Sequence, residues 1–253
     1  MYRRLLIALL FIAPPLLAAP CARPWRVPLE DWRPYAFADA DGRRTGLEVE
    51  LLAAIARELD CSVEYVPDLP RNRRLPMLAA GDLDLLVAAS YDGPGTPEQV
   101  VYTRPYRDEE FSAFARADAP LRPGIKTLED VLDGGLRLLA HRGPSVIPIV
   151  DRFAAAGRLT AFEDYAKGMQ QLRLDRGDVL IGDRLAVMFA ARAAGVAVTE
   201  LTLPVRRDVV AYKLSRQRFD ESDVILFNEA ILRLDAQGEL RRIRNRWLPA
   251  ARR

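Results

Sequence analysis

The chain has 253 residues, half of them hydrophobic, which is enough to bury the core of one large domain or two modest ones. Its 37 Lys plus Arg against 35 Asp plus Glu leave a formal net charge of +2, and the basic residues are spread along the chain. This composition predicts a globular protein and gives no indication of a nucleic-acid partner.

Residues 1–22 have the pattern of a secretory signal peptide. A basic start, an apolar core and small residues for cleavage follow one another, namely Arg3-Arg4, Leu5 to Leu17, and Ala18, Ala19 and Ala22. Pro14-Pro15 interrupts the core, which is shorter than the ~20 residues of a membrane-spanning helix. We expect export to the periplasm. Lipidation at Cys21 ranks second, because Pro20 fits the small-residue processing pattern poorly.

The two cysteines, Cys21 and Cys61, can form a disulfide in an oxidising compartment. Cys21 lies just before the first predicted strand, Trp25 to Leu29, and Cys61 begins the second, Cys61 to Val66. If these strands are parallel neighbours joined by one helix, both cysteines lie at the same edge of the sheet. We expect the disulfide; the alternative is that Cys21 leaves with the signal and Cys61 is a buried thiol.

The first part of the chain alternates strands and helices. A helix after Thr45-Gly46 carries apolar residues at helical spacing (Leu51, Leu52, Ile55 and Leu59) between the two strands, which defines a βαβ unit. Pro76 is expected in the first turn of the next helix, which ends at Gly81. Leu83 to Ala89 is nearly all apolar, as in a buried parallel strand, and small ligands bind beyond the end of such a strand.

A second α/β pattern follows an extended segment, Phe111 to Ala117, and the breakers Pro120, Pro123 and Gly124. Its predicted elements are a helix at Lys126 to Leu132, a strand at Leu136 to Ala140, a helix through Phe153, a strand at Val179 to Ile181 and a helix at Arg184 to Ala194. A second crossing is expected at Leu201 to Asp208. A strand at Val209 to Leu214 and two helices, Val224 to Leu234 and Leu240 to Trp247, complete the chain.

The ordered motifs resemble the bacterial extracellular solute-binding proteins of family 3, the amino-acid-binding group that serves ATP-driven importers. The motifs are Trp32-Arg33-Pro34-Tyr35, Asp41-Gly42, Thr45 to Leu51, Leu78 to Asp84, Tyr102 to Tyr106, Arg142-Gly143, Ile181-Gly182-Asp183, and Gly238 ahead of Trp247. The resemblance covers essentially the whole chain after the signal, and its specificity comes from the series rather than from any single motif.

The resemblance implies a two-lobed α/β periplasmic-binding-protein fold of type II, with a two-segment hinge and ligand in the interlobe cleft. Lobe one would comprise residues 23–114 plus 209–253, and lobe two residues 115–208. It also implies a monomer without cofactor that delivers a small ligand, an amino acid or a related amine or acid, to the permease of an ABC importer in the inner membrane.

The expected carboxylate-binding arginine is missing. Family members commonly place it after a Thr-Pro-Glu-like turn, because a guanidinium can bind a carboxylate through two hydrogen bonds. Here Gln99 follows Thr96-Pro97-Glu98, an ungapped alignment puts Thr96 at that position, and no arginine lies between Arg74 and Arg104. Losing a charge-assisted bond of about 1.5 to 3 kcal/mol weakens binding more than tenfold unless another group replaces it.

Other residues of the cleft follow from the resemblance. Asp183 matches the carboxylate that binds the ligand ammonium, although it could instead cap the helix that follows. Trp32 matches an aromatic packed over the ligand; Tyr35 could act likewise, and either could simply fill the core. The remaining expected ligand contacts are Glu50, Ser90, Tyr91, Gln99, Arg142 and Ser145, with Arg142 the leading replacement for the missing arginine and Arg71, Arg73 or Arg74 as further candidates.

Catalysis is not expected. His141 is the sole histidine, so a Ser-His-Asp or Cys-His arrangement is improbable, and neither a zinc-type cysteine spacing nor a phosphate-binding glycine loop occurs. A minority of proteins with this fold are exported dehydratases that use carboxylates, a role open to Glu50 or Asp183 but a distant alternative. A free-standing partner of a membrane sensor is the nearer one.

Overall fold

The structure is a computed structural model that describes residues 21, 23–28, 31–67, 69–90, 96–119, 121–142 and 147–247. Its strands are β1 (Trp25–Pro28), β2 (Phe37–Ala38), β3 (Arg44–Thr45), β4 (Val63–Val66), β5 (Leu85–Ser90), β6 (Val100–Tyr102), β7 (Arg107–Arg116), β8 (Leu138–His141), β9 (Leu159–Phe162), β10 (Val179–Asp183) and β11 (Val198–Ser215). Its helices are α1 (Leu47–Glu58), α2 (Arg71–Ala80), α3 (Leu128–Asp133), α4 (Ile149–Ala155), α5 (Tyr165–Arg173), α6 (Arg184–Ala194), α7 (Glu221–Ala236) and α8 (Glu239–Trp247).

The predicted βαβ unit is present at the start of the described chain. β1 and β4 are parallel, with Trp25 opposite Val63, and α1 connects them. This pairing brings Cys21 and Cys61 to the same edge, where they form a disulfide with their Cα atoms 5.3 Å apart. The expected disulfide is therefore confirmed.

A seven-stranded sheet with the order β5-β11-β7-β10-β8-β9, and β6 added on β11, contains most of the other strands. β8, β9 and β10 are parallel to one another, whereas β7 and β11 are antiparallel partners. β11 is 18 residues long, so the segment Leu201 to Asp208, predicted as a crossing, is part of the strand itself. The chain therefore passes between its two halves along paired strands.

Two regions of apolar packing define the lobes. In the first lobe, side chains of β1, α1, β11, α7 and α8 form one cluster around the stacked rings of Trp25 and Phe227. In the second lobe, clusters centred on Phe153 and Phe162 cover the two faces of β8 and β10. Leu185 and Ala186, in the first turn of α6, belong to the cluster of the first lobe, so α6 begins against that lobe.

The helices and strands differ from prediction in further places, and β5, whose apolar sequence indicated a parallel strand, pairs antiparallel with β11. α2 begins at Arg71, so Pro76 lies inside the helix and not in its first turn, although Gly81 ends the helix in the left-handed conformation as expected. β9 and α5 were not predicted, because Leu159 to Phe162 is short and α5 is mostly polar. No helix in the described ranges is long and apolar enough to cross a membrane.

Candidate functional site

A hydrogen bond between Tyr35 and Asp183 connects the two lobes. Tyr35 follows β1 in a tight turn and is only 2% exposed, while Asp183 ends β10 and is also 2% exposed. The Tyr35 hydroxyl donates to Asp183 Oδ2 at 2.7 Å. Two residues that the sequence places in the ligand site are therefore brought together, 148 positions apart in the chain.

Asp183 has a second hydrogen bond through its other oxygen. The backbone N–H of Ala186 donates to Oδ1 at 2.8 Å, so Asp183 is the N-cap of α6. The capping and ligand-site interpretations are thus compatible, because they concern different oxygens. Burial raises the pKa of the Asp183 carboxyl above its ordinary value, although the bonds from Ala186 and Tyr35 oppose that shift.

Tyr165, the first residue of α5, supports the backbone of Asp183. The Asp183 N–H donates to the Tyr165 hydroxyl oxygen at 2.9 Å. Gly182 makes this possible, since a Cβ there would lie 2.5 Å from a Tyr165 ring carbon, closer than van der Waals contact allows. The ring of His141 lies 6.2 Å from that of Tyr165 and packs edge-on against Phe162.

A buried ion pair lies on the first-lobe side of Tyr35. Glu48 of α1 accepts hydrogen bonds from Arg107 Nε and from the Tyr106 hydroxyl, both at 2.5 Å. The Arg107 guanidinium also lies 4.7 Å from the centre of the Tyr35 ring. Burial disfavours the charge of Arg107, but Glu48, Tyr35, Tyr106 and Glu109 together outweigh this effect and hold the pKa of Arg107 well above its ordinary value. The network fixes Tyr35 against β7.

Glu109 is a second buried carboxylate near Asp183. Arg107 Nη2 donates to its Oε1 at 3.4 Å, a long bond. Burial raises the pKa of Glu109 to about 7; Arg107 opposes the shift, and the negative charges of Asp183 and Glu48 add to it. A carboxyl that titrates near neutral pH beside a second carboxylate is characteristic of functional sites.

These residues lie beside a pocket of about 460 Å³ at the junction of the lobes. Its wall is formed mainly by residues 104–110, by the start of α6 and by side chains of α7 and α8. The lining includes Tyr35, Tyr106, Arg107, Glu109 and Asp183. A pocket of this size with a few buried polar groups suits a small molecule of amino-acid size.

The other predicted site residues lie at different positions relative to this site. The Trp32 ring packs on Tyr35 with centroids 4.2 Å apart, next to the site. Arg142 is exposed just after β8, with its N–H bonded to the Phe162 carbonyl. Ser90 ends β5, where its backbone pairs with Val210. Tyr91 and Ser145 lie outside the described residues.

Glu50 and Gln99 lie away from this group. Glu50 pairs with Arg246 of α8 on the outer side of the first lobe. The Gln99 carbonyl accepts from the N–H of Arg216, beyond the end of β11. β11 ends at Ser215, which is five residues, or about 17 Å along an extended strand, from Val210, the partner of Arg107. Gln99 is therefore far from the group around Arg107 and Asp183.

Arg107 and Glu109 were not predicted as site residues. Both lie in β7, and only the segment from Phe111 onward was expected to be extended. No sequence signal marked them: residues 107–110 are all charged, and the alternation of buried Arg107 and Glu109 with exposed Asp108 and Glu110 is a feature of the structure alone. Glu48 and Tyr106 lie within motifs that carry the family resemblance, without an assigned role.

Comparison with known proteins identifies the family. The chain matches the bacterial extracellular solute-binding proteins, family 3, over residues 27–250, and it belongs to that family. It is 24% identical over 146 residues to a glutamine-binding protein of an ABC transporter from Bacillus subtilis, spanning 57% of this chain and only 52% of that relative. It is 22% identical over 216 residues to a probable amino-acid ABC transporter-binding protein from Haemophilus influenzae, over 85% of this chain and 80% of the relative.

Solved structures confirm the type II periplasmic-binding-protein fold predicted from the sequence. An ancestral cationic amino acid solute-binding protein superposes with a TM-score of 0.72 at 22% identity, over 89% of this chain and 95% of that one. A histidine kinase sensor domain with similarity to periplasmic binding proteins gives 0.69 at 23% identity, over 90% and 97%. One fold therefore occurs in both solute-binding and sensory proteins.

Proposed function

We propose that this chain binds a small polar ligand, an amino acid or a related amine or acid, in the cleft between its lobes and delivers it to an ABC importer. The observation that carries the proposal is Asp183, a buried carboxylate at the end of β10 that reaches the other lobe through Tyr35 and lines the pocket. A carboxylate so placed can bind an ammonium group when the lobes close. Family membership and relatives named as transporter binding proteins support the same function.

The proposal includes the remaining parts of the predicted organisation. Residues 1–22 act as an export signal, and the division into lobes follows residues 23–114 plus 209–253 and residues 115–208. The disulfide at Cys21 requires that any cleavage occur before that residue, so that the removed segment ends at residue 20 or earlier and not at residue 22. Mass spectrometry of the exported protein, with and without reduction and alkylation, tests this; a mature chain that begins after Cys21 excludes it.

Native mass spectrometry of protein purified gently from the periplasm identifies a co-purified ligand, and a thermal-shift panel of amino acids, amines and small acids tests the class. Ligand at 100 times its dissociation constant stabilises the protein by about 2.7 kcal/mol. No response to acidic, neutral or basic amino acids, or to amines, contradicts the proposal.

Asp183→Asn tests the binding role of the carboxylate separately from its capping role, because asparagine also caps helices well. We expect the ligand-free variant to unfold near the temperature of the wild type, while the ligand-induced shift disappears because the charge that binds ammonium is gone. Differential scanning fluorimetry measures both. Asp164→Asn at the N-cap of α5 is the matched control and should keep the shift. An unchanged shift in Asp183→Asn removes Asp183 from the site.

A ligand-sensing partner of a membrane receptor is the second candidate, supported by the fold shared with a kinase sensor domain. Capture from membranes with the ligand-loaded protein separates the two functions, because uptake requires a permease and sensing requires a kinase.

A further inference from the structure

The positions of Glu109 and Asp183 place two carboxylates on the same face of the sheet. Asp183 pairs directly with Phe111 of β7, and Glu109 precedes Phe111 by two residues. Side chains two apart on a strand point to the same face, so Glu109 and Asp183 are diagonal neighbours, with Cβ atoms about 7 to 8 Å apart. Both residues also line the same pocket, so two cationic groups of one ligand could each meet one carboxylate.

Glu109 retains an unused hydrogen-bonding oxygen in the pocket. Its side chain is 9% exposed and lines the cavity next to Asp183. Oε1 receives only the long bond from Arg107, whose guanidinium is closer to Glu48, at 2.5 Å. Among the described residues, Oε2 has no hydrogen-bond donor. This oxygen is not among the buried side-chain atoms that lack a partner, so it keeps some exposure to solvent and a donor on a ligand can reach it.

The charges around the pair leave an excess of negative charge. Glu48, Glu109 and Asp183 face the single guanidinium of Arg107 within the described cluster. Three further arginines of the pocket wall are already paired with carboxylates, namely Arg184 with Glu200 at 2.8 Å, Arg207 with Glu110 at 3.6 Å and Arg244 with Asp235 at 3.5 Å. Arg104 is exposed. A cationic ligand balances the cluster, whereas an anionic one adds to its charge.

We propose that Glu109 binds a second cationic group of the ligand while Asp183 binds the first, so that the site takes a basic amino acid or a short diamine. The inference rests on the function proposed above and narrows its ligand class. An organic cation fits better than a metal ion, because the described residues contain no group of three or more His, Cys, Asp or Glu side chains placed to hold one.

Isothermal titration with matched probes tests the second cationic site. L-arginine and L-citrulline have nearly the same shape, but the side chain of citrulline is neutral; L-lysine and L-norleucine form a second pair. We expect the wild type to bind the cationic member of at least one pair more than tenfold tighter, the discrimination given by a charge-assisted hydrogen bond of about 1.5 kcal/mol or more. Agmatine and putrescine, which lack the carboxylate, distinguish an amine ligand from an amino acid.

Glu109→Gln should reduce the preference for the cationic member of each pair at least tenfold. The variant should stay folded, since glutamine keeps the shape of the side chain and removes a buried charge. Glu109→Asp retains the charge and should retain part of the preference. Glu129→Gln, an exposed residue paired with Arg152 and outside the pocket, is the control and should bind like the wild type.

The outcomes separate this inference from the proposed function. Equal affinity for both members of each pair, or a preference that survives Glu109→Gln, overturns the role of Glu109 while neutral amino acids that bind through Asp183 still support the function. Absence of binding by every amino acid and amine overturns both. Tight binding of agmatine or putrescine supports the inference and identifies the ligand as an amine.

Discussion

Asp183 shows how one side chain can serve both the fold and the site. Its Oδ1 caps α6 and its Oδ2 accepts the hydroxyl of Tyr35, so the carboxylate is held in place before any ligand arrives. Prior positioning of a binding group reduces the entropy that must be lost on binding. The same two bonds partly oppose the burial that raises its pKa, and they thereby favour the charged form that an ammonium requires.

Glu109 predicts a pH-dependent stability. Its pKa rises from 4.5 to about 7 on folding, so the folded state binds more protons than the unfolded state between these values. The unfolding free energy therefore falls as pH rises through this window, by up to about 3 kcal/mol for this group. Urea unfolding of ligand-free wild type and Glu109→Gln at pH 5 and pH 8 measures the effect, and the variant should gain relative stability at pH 8.

The other groups that face Glu109 are Glu48 on α1, Arg107 on β7, and Asp183 and Tyr35 from β10 and the turn after β1. They remain in Glu109→Gln, so the difference between the two proteins isolates Glu109. If the unfolding free energies of wild type and variant change equally between pH 5 and pH 8, the pKa of Glu109 is not raised.

Individual residues of the candidate site could be predicted from the sequence where a family motif falls at the end of a strand. Asp183 follows an apolar strand and Tyr35 lies in a motif that carries the family resemblance, so each could be predicted separately. Their contact could not, because β1 and β10 belong to different sheets. Gln99 shows the limit, because its motif position says nothing about which end of β11 it joins. Arg107 and Glu109 depend on the pairing of β7 with strands far along the chain.

Among the elements, α1 and β7 are joined by the buried pair of Glu48 and Arg107. Glu48→Gln leaves the guanidinium buried with only its long bond to Glu109, and removing one partner of a buried ion pair typically costs about 3 to 5 kcal/mol. We expect a loss of that size in the unfolding free energy, measured by urea titration at pH 7.

Glu50→Gln provides the matched control for this change. Glu50 lies two residues away on the same helix, and its partner Arg246 is 53% exposed on its side chain. An exposed ion pair contributes about 0 to 1 kcal/mol, so its loss should be small. Similar losses in the two variants would mean that the buried pair contributes no more than a surface one.

Most elements could be predicted because their apolar spacing is strong, as in α6, which begins and ends where expected. α5 buries only a narrow face, including Met169 and Leu172, and its many polar residues hid the helical period. In β11 the segment Leu201 to Asp208 was expected to be a crossing ahead of a separate strand. Pairing with β7 continues through Arg206 to Asp208, so the strand depends on long-range partners that the local sequence does not show.

For the whole molecule, the Tyr35–Asp183 bond favours the closed arrangement of the lobes. Tyr35→Phe removes a hydrogen bond to a carboxylate worth about 1.5 to 3 kcal/mol, which shifts the balance toward the open form more than tenfold. Small-angle X-ray scattering of the ligand-free protein should show a larger radius of gyration in the variant, with restoration by saturating ligand.

Tyr65→Phe is the control for this change. Tyr65 lies in β4 and outside the pocket wall, and burial raises its pKa to about 12, so it is a partly buried tyrosine that contacts the first lobe only. An unchanged radius in Tyr35→Phe would show that the bond does not hold the lobes together.

The long strand β11 also has a consequence for the order in which the chain folds. β7, β8, β9 and β10 all lie within residues 107–183, so the sheet of the second lobe has these four strands before β11 is synthesised. β5 must wait for β11, which lies between it and β7 and begins more than 100 residues later. Because closing so long a loop slows folding, the first lobe, although it begins the chain, is expected to be completed last.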